Sequence, residues 1–191
     1  MPRLDDARSK ILENAQNLAQ NRGFSGFSFR DIAEEIGIKA ASIHYHFPTK
    51  DSLIIELARN YRKVFFQQLD QLTRDVARPQ QRIKILIEVF QAVLIEEDRM
   101  CLCGMLAADA ELLSDEARNE VTNFYNQCVE WIAKEWAQLG QKNPRDMAVD
   151  TFVRLEGAML ISRVAASNEP FVVIKKAIEK TLDSAAVGAG D

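Results

Sequence analysis

Histidine is scarce in this chain, with two in 191 residues, His44 and His46, and the nearest thing to a catalytic set is missing with it. There is no HExxH, no phosphate-binding glycine loop and no Cys–His pair, so a nucleophile with its base cannot be assembled and an enzyme is not expected. The two histidines lie two positions apart near a predicted helix end, a poor spacing for a metal site, and no metal or cofactor is expected. Cysteine is also sparse. Cys101, Cys103 and Cys128 are too few, and odd in number, for a disulfide framework, which points to a reducing compartment. No apolar run approaches the ~20 residues needed to cross a bilayer, and the opening MPRLDDARSK lacks the apolar core of a secretory signal. A cytoplasmic protein without a membrane partner is therefore expected. Five prolines, eight glycines and no alternating strand pattern leave helix as the repeating element, so the predicted fold class is all-α. An excess of basic charge is missing too, with 24 Lys and Arg against 28 Asp and Glu. That argues against a general nucleic-acid coat, but the first 50 residues carry a net +1 and the rest −5, so any such contact belongs to the first segment.

What is present is a hydrophobic fraction of 47%, enough for a sizeable core, arranged at helical spacing. Ile11, Leu12, Ala15, Leu18 and Ala19 mark a first helix over about 5–21, stopped at Gly23. Ser28 followed by Asp31 has the layout of a capping box and starts a second helix over 29–36. Gly37 supplies a tight turn, and a third short helix over 39–46 ends before Pro48. Two short helices about such a turn make a helix-turn-helix, here with Phe29, Ile32, Ala33, Ile36, Ile38 and Ile43 as its small core. Six further helices are predicted over about 50–76, 79–97, 104–113, 114–140, 143–168 and 170–183. The organisation expected is a DNA-binding domain over 1–48, a helical domain over 49–183 and a disordered small-residue tail over 184–191.

On the third helix, Lys39, Ala40, Ala41, Ser42, His44 and Tyr45 are not needed for that core. Small alanines let a helix approach base edges and touch thymine methyls, while Ser42, His44 and Tyr45 offer donors to bases or phosphates. Three-helix bundles without a DNA role share this spacing, so the residues carry the argument. The string GFSGFSFRDIAEEIGIKAASIHYHFPTKDSL, Gly23 to Leu53, closely resembles the DNA-binding segment of the tetracycline-repressor (TetR/AcrR) family of bacterial transcriptional regulators. The resemblance lies in Ser28, Asp31-Ile32-Ala33, Gly37-Ile38, Tyr45-His46-Phe47 and Lys50 ahead of a long helix. It implies that Arg30 reaches a base, that Lys39, Ala40, Ala41 and His44 face the major groove, and that Ser28, Ser42, Tyr45, His46 and Lys50 hold phosphates. The chain departs from the commonest pattern at Ala41 and His44, so the operator sequence does not carry over. The resemblance also implies a homodimer on a roughly palindromic double-stranded operator, with half-site centres ~34 Å apart.

The later helices resemble that family only by architecture, as a ligand-binding and dimerisation domain. Phe65, Phe90, Cys103, Phe124, Cys128, Trp131, Met159 and Arg163 are candidates to line a pocket for a small-molecule effector. Aromatic residues at helical spacing are equally read as plain core, and the C-x-C of Cys101 and Cys103 as small buried residues or as a redox or electrophile sensor. Glu156 and Arg163 stand out as charges within the apolar stretch LEGAMLISRVAA, either on a solvated face or against a ligand or partner. Gly157, Ala158 and Ala165, with Phe171, Ile174, Ile178 and Leu182, are candidates for an intersubunit four-helix bundle. The reading is a ligand-responsive repressor. A constitutive DNA-binding protein without an effector, or an activator, would use the same DNA contacts.

Overall fold

A computed structural model of the chain describes residues 4–188, with side chains described from 7 to 187. Among the described residues there are nine α-helices and no strand: α1 (Leu4–Arg22), α2 (Phe29–Ile36), α3 (Ala40–His46), α4 (Lys50–Thr73), α5 (Pro79–Gln91), α6 (Leu102–Ala108), α7 (Asp115–Gln138), α8 (Pro144–Ala165) and α9 (Glu169–Gly188). They form two compact units. The first takes in the described residues up to Val64 together with Leu102–Phe124, and the second takes in Phe65–Cys101 and the chain from Tyr125 onward. The division therefore cuts α4 and α7, where the sequence reading had placed a single boundary at 48 and 49.

The first unit closes around the apolar stripe of α1. Ile11, Ala15 and Ala19 are fully buried, as are Ile32 of α2, Ile43 of α3 and Leu53, Ile54 and Leu57 of α4. Gly37, at φ 69°, ends α2 in the left-handed conformation open to glycine without steric penalty, and its N–H returns to the Ala33 carbonyl. From α6 and α7 the same unit buries Leu102, Cys103, Leu106, Ala117 and Phe124. Glu120, buried on α7, is held by Arg59 at 2.8 Å and Arg62 at 3.2 Å.

The second unit buries Leu69, Ile83, Leu86, Ile87, Ile132, Trp136, Leu155 and Met159. Two buried polar groups there are paired within the unit. The Glu135 carboxylate accepts from Arg82 at 3.0 Å, and the Trp136 indole donates to Thr151 Oγ1 at 3.3 Å. Two elements differ from the periodicity. The helix predicted to reach 97 leaves α-geometry at Ala92, forms a π-helical turn to Glu96 and breaks at Asp98, φ 51°. The helix expected over 104–113 is α6 followed by a 3₁₀ turn, Ala110–Leu112. At the other end α9 continues through 184–188, residues assigned above to the tail; 189–191 lie outside the described residues. Ala185 and Ala186, strong helix formers, are consistent with the continuation, and the Ser184 hydroxyl donates back to the Lys180 carbonyl at 2.9 Å.

Candidate nucleic-acid interface

α3 has seven residues and one fully buried side chain, Ile43, which fixes its rotation. With Ile43 turned inward, Ala40, Ala41, Ser42, His44 and Tyr45 are all exposed, Tyr45 by 74%. Lys39 precedes them as the N-cap residue and is exposed as well. His44 is steadied from behind: its ring meets Phe29 edge-on at 4.9 Å, and Nδ1 lies 3.4 Å from the Pro48 carbonyl. His46 is half-buried, its ring 5.2 Å from that of Tyr45.

Arg30 is exposed in the first turn of α2. The start of that helix is set by the capping box, since the Asp31 carboxylate accepts the Ser28 backbone N–H at 2.7 Å and the Ser28 hydroxyl at 2.6 Å. Those two bonds from Ser28 hold the Asp31 carboxyl below its ordinary range. The short aspartate makes the reciprocal bond. Ser28 remains exposed, with its hydroxyl proton committed to Asp31.

Lys50 departs from the reading above. Its ammonium turns back into the unit, donating to the carbonyls of Phe24 and Phe27, and lies 4.6 Å and 4.1 Å from the centroids of their rings. Burial pushes its pKa down. The resemblance made it a phosphate contact, whereas here the cation fastens the turn between α1 and α2, because two backbone carbonyls and two ring faces are nearer than solvent. Asp109, which the sequence reading did not single out, holds the same turn by its other face: its carboxylate accepts the Phe24 N–H at 2.7 Å. Gly23, φ 72°, leaves room for this, since a Cβ there would stand 2.8 Å from Asp109 Oδ2. The available signal was an isolated acid closing the apolar run of α6.

The effector candidates divide between the units. Cys103 and Phe124 are buried in the first, Phe124 against Tyr61 at 5.5 Å. In the second, Phe65 and Phe90 meet at 5.8 Å, and Phe152 extends the cluster from Phe90 at 6.1 Å to Tyr125 at 5.5 Å. Phe152 and Tyr125 had not been named as site residues. Cys128 and Met159 are buried in this unit and Trp131 is half-buried. Arg163 is committed elsewhere, to the Asp98 carbonyl at 3.1 Å and carboxylate at 3.3 Å, beside an open groove lined by Leu94, Ser162 and Ala166. Glu156 has no such arrangement. Both carboxylate oxygens are closed off from solvent, and no nitrogen or hydroxyl donor among the described residues reaches them. Burial pushes this carboxyl up to about 7, weakly opposed by the Cys101 thiol alongside.

The candidates for a subunit interface also separate. Ala158, Phe171, Ile178 and Leu182 are buried within the second unit itself, so they build its core. Gly157 and Ile174 are half-buried and line a shallow groove of about 480 Å³ with Ile161, Pro170 and Val173; Ala165 is exposed. The outward apolar residues are different ones: Val153, Leu160, Ile161 and Val164 on α8 and Val173 on α9, with Val164 exposed by 86%. α9 turns Phe171 and Ile178 toward α5 and α8, which rotates Val173 outward.

All three cysteines are buried thiols. No cluster of three or more metal-ligating side chains occurs among the described residues, and no helix of the described residues is long and apolar enough to cross a membrane.

Comparison with known proteins agrees with both halves of this arrangement. The profile of bacterial regulatory proteins of the tetR family matches residues 11–57, and that of the C-terminal domain of LmrA/YxaF-like transcriptional regulators matches 79–177. The HTH-type transcriptional regulator LmrA of Bacillus subtilis is 27% identical over 182 residues, covering 93% of this chain and 97% of its own length. The HTH-type transcriptional repressor KstR2 of Mycobacterium tuberculosis is 28% identical over 91 residues, covering 47% of this chain and 46% of its own. Among solved structures, a TetR-family transcriptional regulator of Agrobacterium tumefaciens superposes with a TM-score of 0.89 at 24% identity, covering 94% and 98% of the two chains. The fold recurs in a putative regulator of Saccharomonospora viridis in complex with choline, TM-score 0.78 at 22% identity, covering 94% and 96%. It recurs again in the regulator FadR of Bacillus subtilis in complex with stearoyl-CoA, TM-score 0.72 at 13% identity, covering 91% and 96%.

Proposed function

The chain belongs to the tetR family of bacterial regulatory proteins, and from that premise we propose that it is a homodimeric repressor, released from a roughly palindromic operator by a small molecule bound in its second unit. The observation that carries the DNA-binding half is α3, whose polar and small side chains are exposed on one side of a single buried anchor, Ile43. Such a helix can enter the ~12 Å wide major groove with Ala40 and Ala41 against base edges. Arg30, from the first turn of α2, reaches a base, and Ser28, Ser42, Tyr45 and His46 bond phosphates and set the register. Lys50 and Asp109 position this surface by holding the Phe24 peptide from both sides. The cytoplasm, where the chromosome lies, is the compartment in which this function operates.

The outward apolar face of α8 and α9 supports dimerisation. Five large aliphatic side chains in one patch, bordered by the groove at Gly157, are a liability in a monomer and a ready two-fold contact between copies. Effector response rests on the second unit having a charged group that its own fold leaves unsatisfied. An effector acts only through its differential affinity for two conformations, and a coupling of ~1 to 3 kcal/mol would weaken operator binding roughly 5- to 150-fold. α4 and α7 belong in part to each unit and so are the elements able to carry that change. The relatives named as repressors, and the two proteins of this fold holding choline and stearoyl-CoA, favour the reading without choosing the ligand.

The experiment is a gel shift of the purified protein on its own upstream DNA across a salt series with scrambled competitor. Specific retardation that weakens steeply with salt is the expected result. Equal affinity for scrambled DNA at every salt concentration would refute assignment of α3 and Arg30 as readers of that sequence.

A further inference from the structure

Glu156 lies on α8 one turn beyond Phe152, so the two side chains share a face of the helix. Phe152 is the hub of an aromatic cluster drawn from four helices, Phe65 of α4, Phe90 of α5, Tyr125 of α7 and Phe152 itself. On the same face of α8 as Phe152, Glu156 holds two carboxylate oxygens without solvent and without a nitrogen or hydroxyl donor from the described residues. Several basic side chains of this unit are engaged at other sites: Arg82 with Glu135, Lys84 with Asp183, Arg163 with Asp98 and Lys175 with Gln91. The fold therefore encloses an acid and brings it no counter-ion. Protonation alone does not resolve this, since the neutral acid still carries an O–H that needs an acceptor.

We propose that the effector of this protein is a small organic cation, an ammonium ion bearing an apolar or aromatic group, with Glu156 as its counter-ion and the rings of Phe65, Phe90, Tyr125 and Phe152 as its walls. A cation answers both features of the site together. It neutralises the buried charge, and it is attracted to the electron-rich faces of aromatic rings, an interaction that strengthens when water is excluded. A neutral donor would leave one net negative charge enclosed, and an anion would double it. The Cys101 thiol, beside the carboxylate, is too weak a donor to replace the cation. The proposal deepens the repressor reading and rests on it for the word effector, but the binding it predicts is measurable without DNA.

The test is calorimetric titration and thermal shift of the full chain with benzyltrimethylammonium and three primary aralkylamines, against the neutral isostere neopentylbenzene and the anion benzylsulfonate. At least one cation is expected to bind saturably and raise the unfolding temperature. In Glu156→Gln, which keeps the side chain's shape, that affinity should fall by about tenfold or more while any binding of the neutral isostere is unchanged. Cation binding that is indifferent to the substitution, binding of the isostere or the anion as tight as that of every cation, or no saturable cation binding across the set, overturns the proposal. Operator binding by the parent protein is read separately, in the gel shift without added cation. Its presence alongside a failed titration would reject the cation and leave the repressor standing, whereas loss of specific DNA binding by the parent rejects the repressor whatever the titration gives.

Discussion

Replacing Glu156 by Gln should stabilise the protein, and only in neutral and alkaline solution. In the folded chain the carboxyl is pushed from its ordinary value of 4.5 up to about 7. Below about pH 4 it is protonated in both folded and unfolded chains and contributes nothing to pH dependence. Between 4.5 and about 7 the unfolded chain has released the proton while the folded one keeps it, so stability declines as pH rises; above about 7 both are ionised and the loss is complete. At about 1.4 kcal/mol per pH unit, that interval corresponds to about 3 kcal/mol. Glutamine has the same shape and no charge, so at about pH 8 the variant should exceed the parent by up to that amount, with the advantage shrinking to a fraction of a kcal/mol at about pH 5. For a chain of this length, about 3 kcal/mol is a rise of roughly 6–12 °C in the unfolding midpoint. Urea unfolding followed by far-ultraviolet circular dichroism, at matched protein concentrations because the chain is proposed to be a dimer, reads the difference directly. Equal stability of the two proteins at about pH 8, or a glutamine variant weaker at both pH values, would refute the reasoning, since either would mean that the folded protein already satisfies the carboxylate.

Four further outcomes follow from the same structure. Arg30→Ala should cost ~1 to 3 kcal/mol of operator affinity and relax specificity at one base pair, and a loss uniform across all sequences would contradict base readout, as competition gel shifts would reveal. Tyr45→Phe should weaken binding to every sequence alike by ~1 kcal/mol, so a changed base preference in the same assay would exclude a phosphate role. Val164→Asp, at a position exposed by 86%, should leave the monomer's fold intact and turn the dimer to monomer in sedimentation velocity; an unaltered dimer would place the interface elsewhere. Asp109→Ala and Lys50→Met should each destabilise the protein, Asp109→Ala by ~1 kcal/mol for its lost hydrogen bond, and the pair should be non-additive by ~0.5 kcal/mol or more because both hold the peptide of Phe24. Strict additivity in urea unfolding would show that the two clamps act independently.

Local chemistry made the helix-turn-helix legible. Ser28 and Gly37 mark the ends of α2, and Phe29–Ile36 was read from them without error, because a cap and a left-handed glycine act within one or two residues of the boundary they set. The exposed side of α3 follows from Ile43 by rotation alone. Lys50 was not legible in the same way. A lysine ahead of a long helix matches a phosphate contact by position, and its actual partners, the carbonyls of Phe24 and Phe27, lie more than twenty residues earlier and on another helix's turn. The interface candidates on α9 were ambiguous for a related reason. Phe171, Ile178 and Leu182 are apolar at helical spacing, and so is the opposite stripe containing Val173, so periodicity alone could not say which stripe the chain buries against α5 and α8.

Glu156 and Arg163 make the sharpest contrast, because sequence presented them as equals, two charges in one apolar stretch of a single helix. Three-dimensional packing divides them by what the rest of the fold supplies. The break after the π-helical turn, where Asp98 adopts a positive φ, presents both a carbonyl and a carboxylate to Arg163. Arg163 is thereby satisfied at the edge of the second unit, its side chain one-third exposed. Glu156, two turns earlier, has its carboxylate closed off beside a thiol and receives no cation. Burying a charge without a partner is among the more costly things a fold can do, and a solvated or apolar residue at 156 would have avoided it. The retained acid is therefore better explained by a partner that arrives from solution than by the stability of the empty protein.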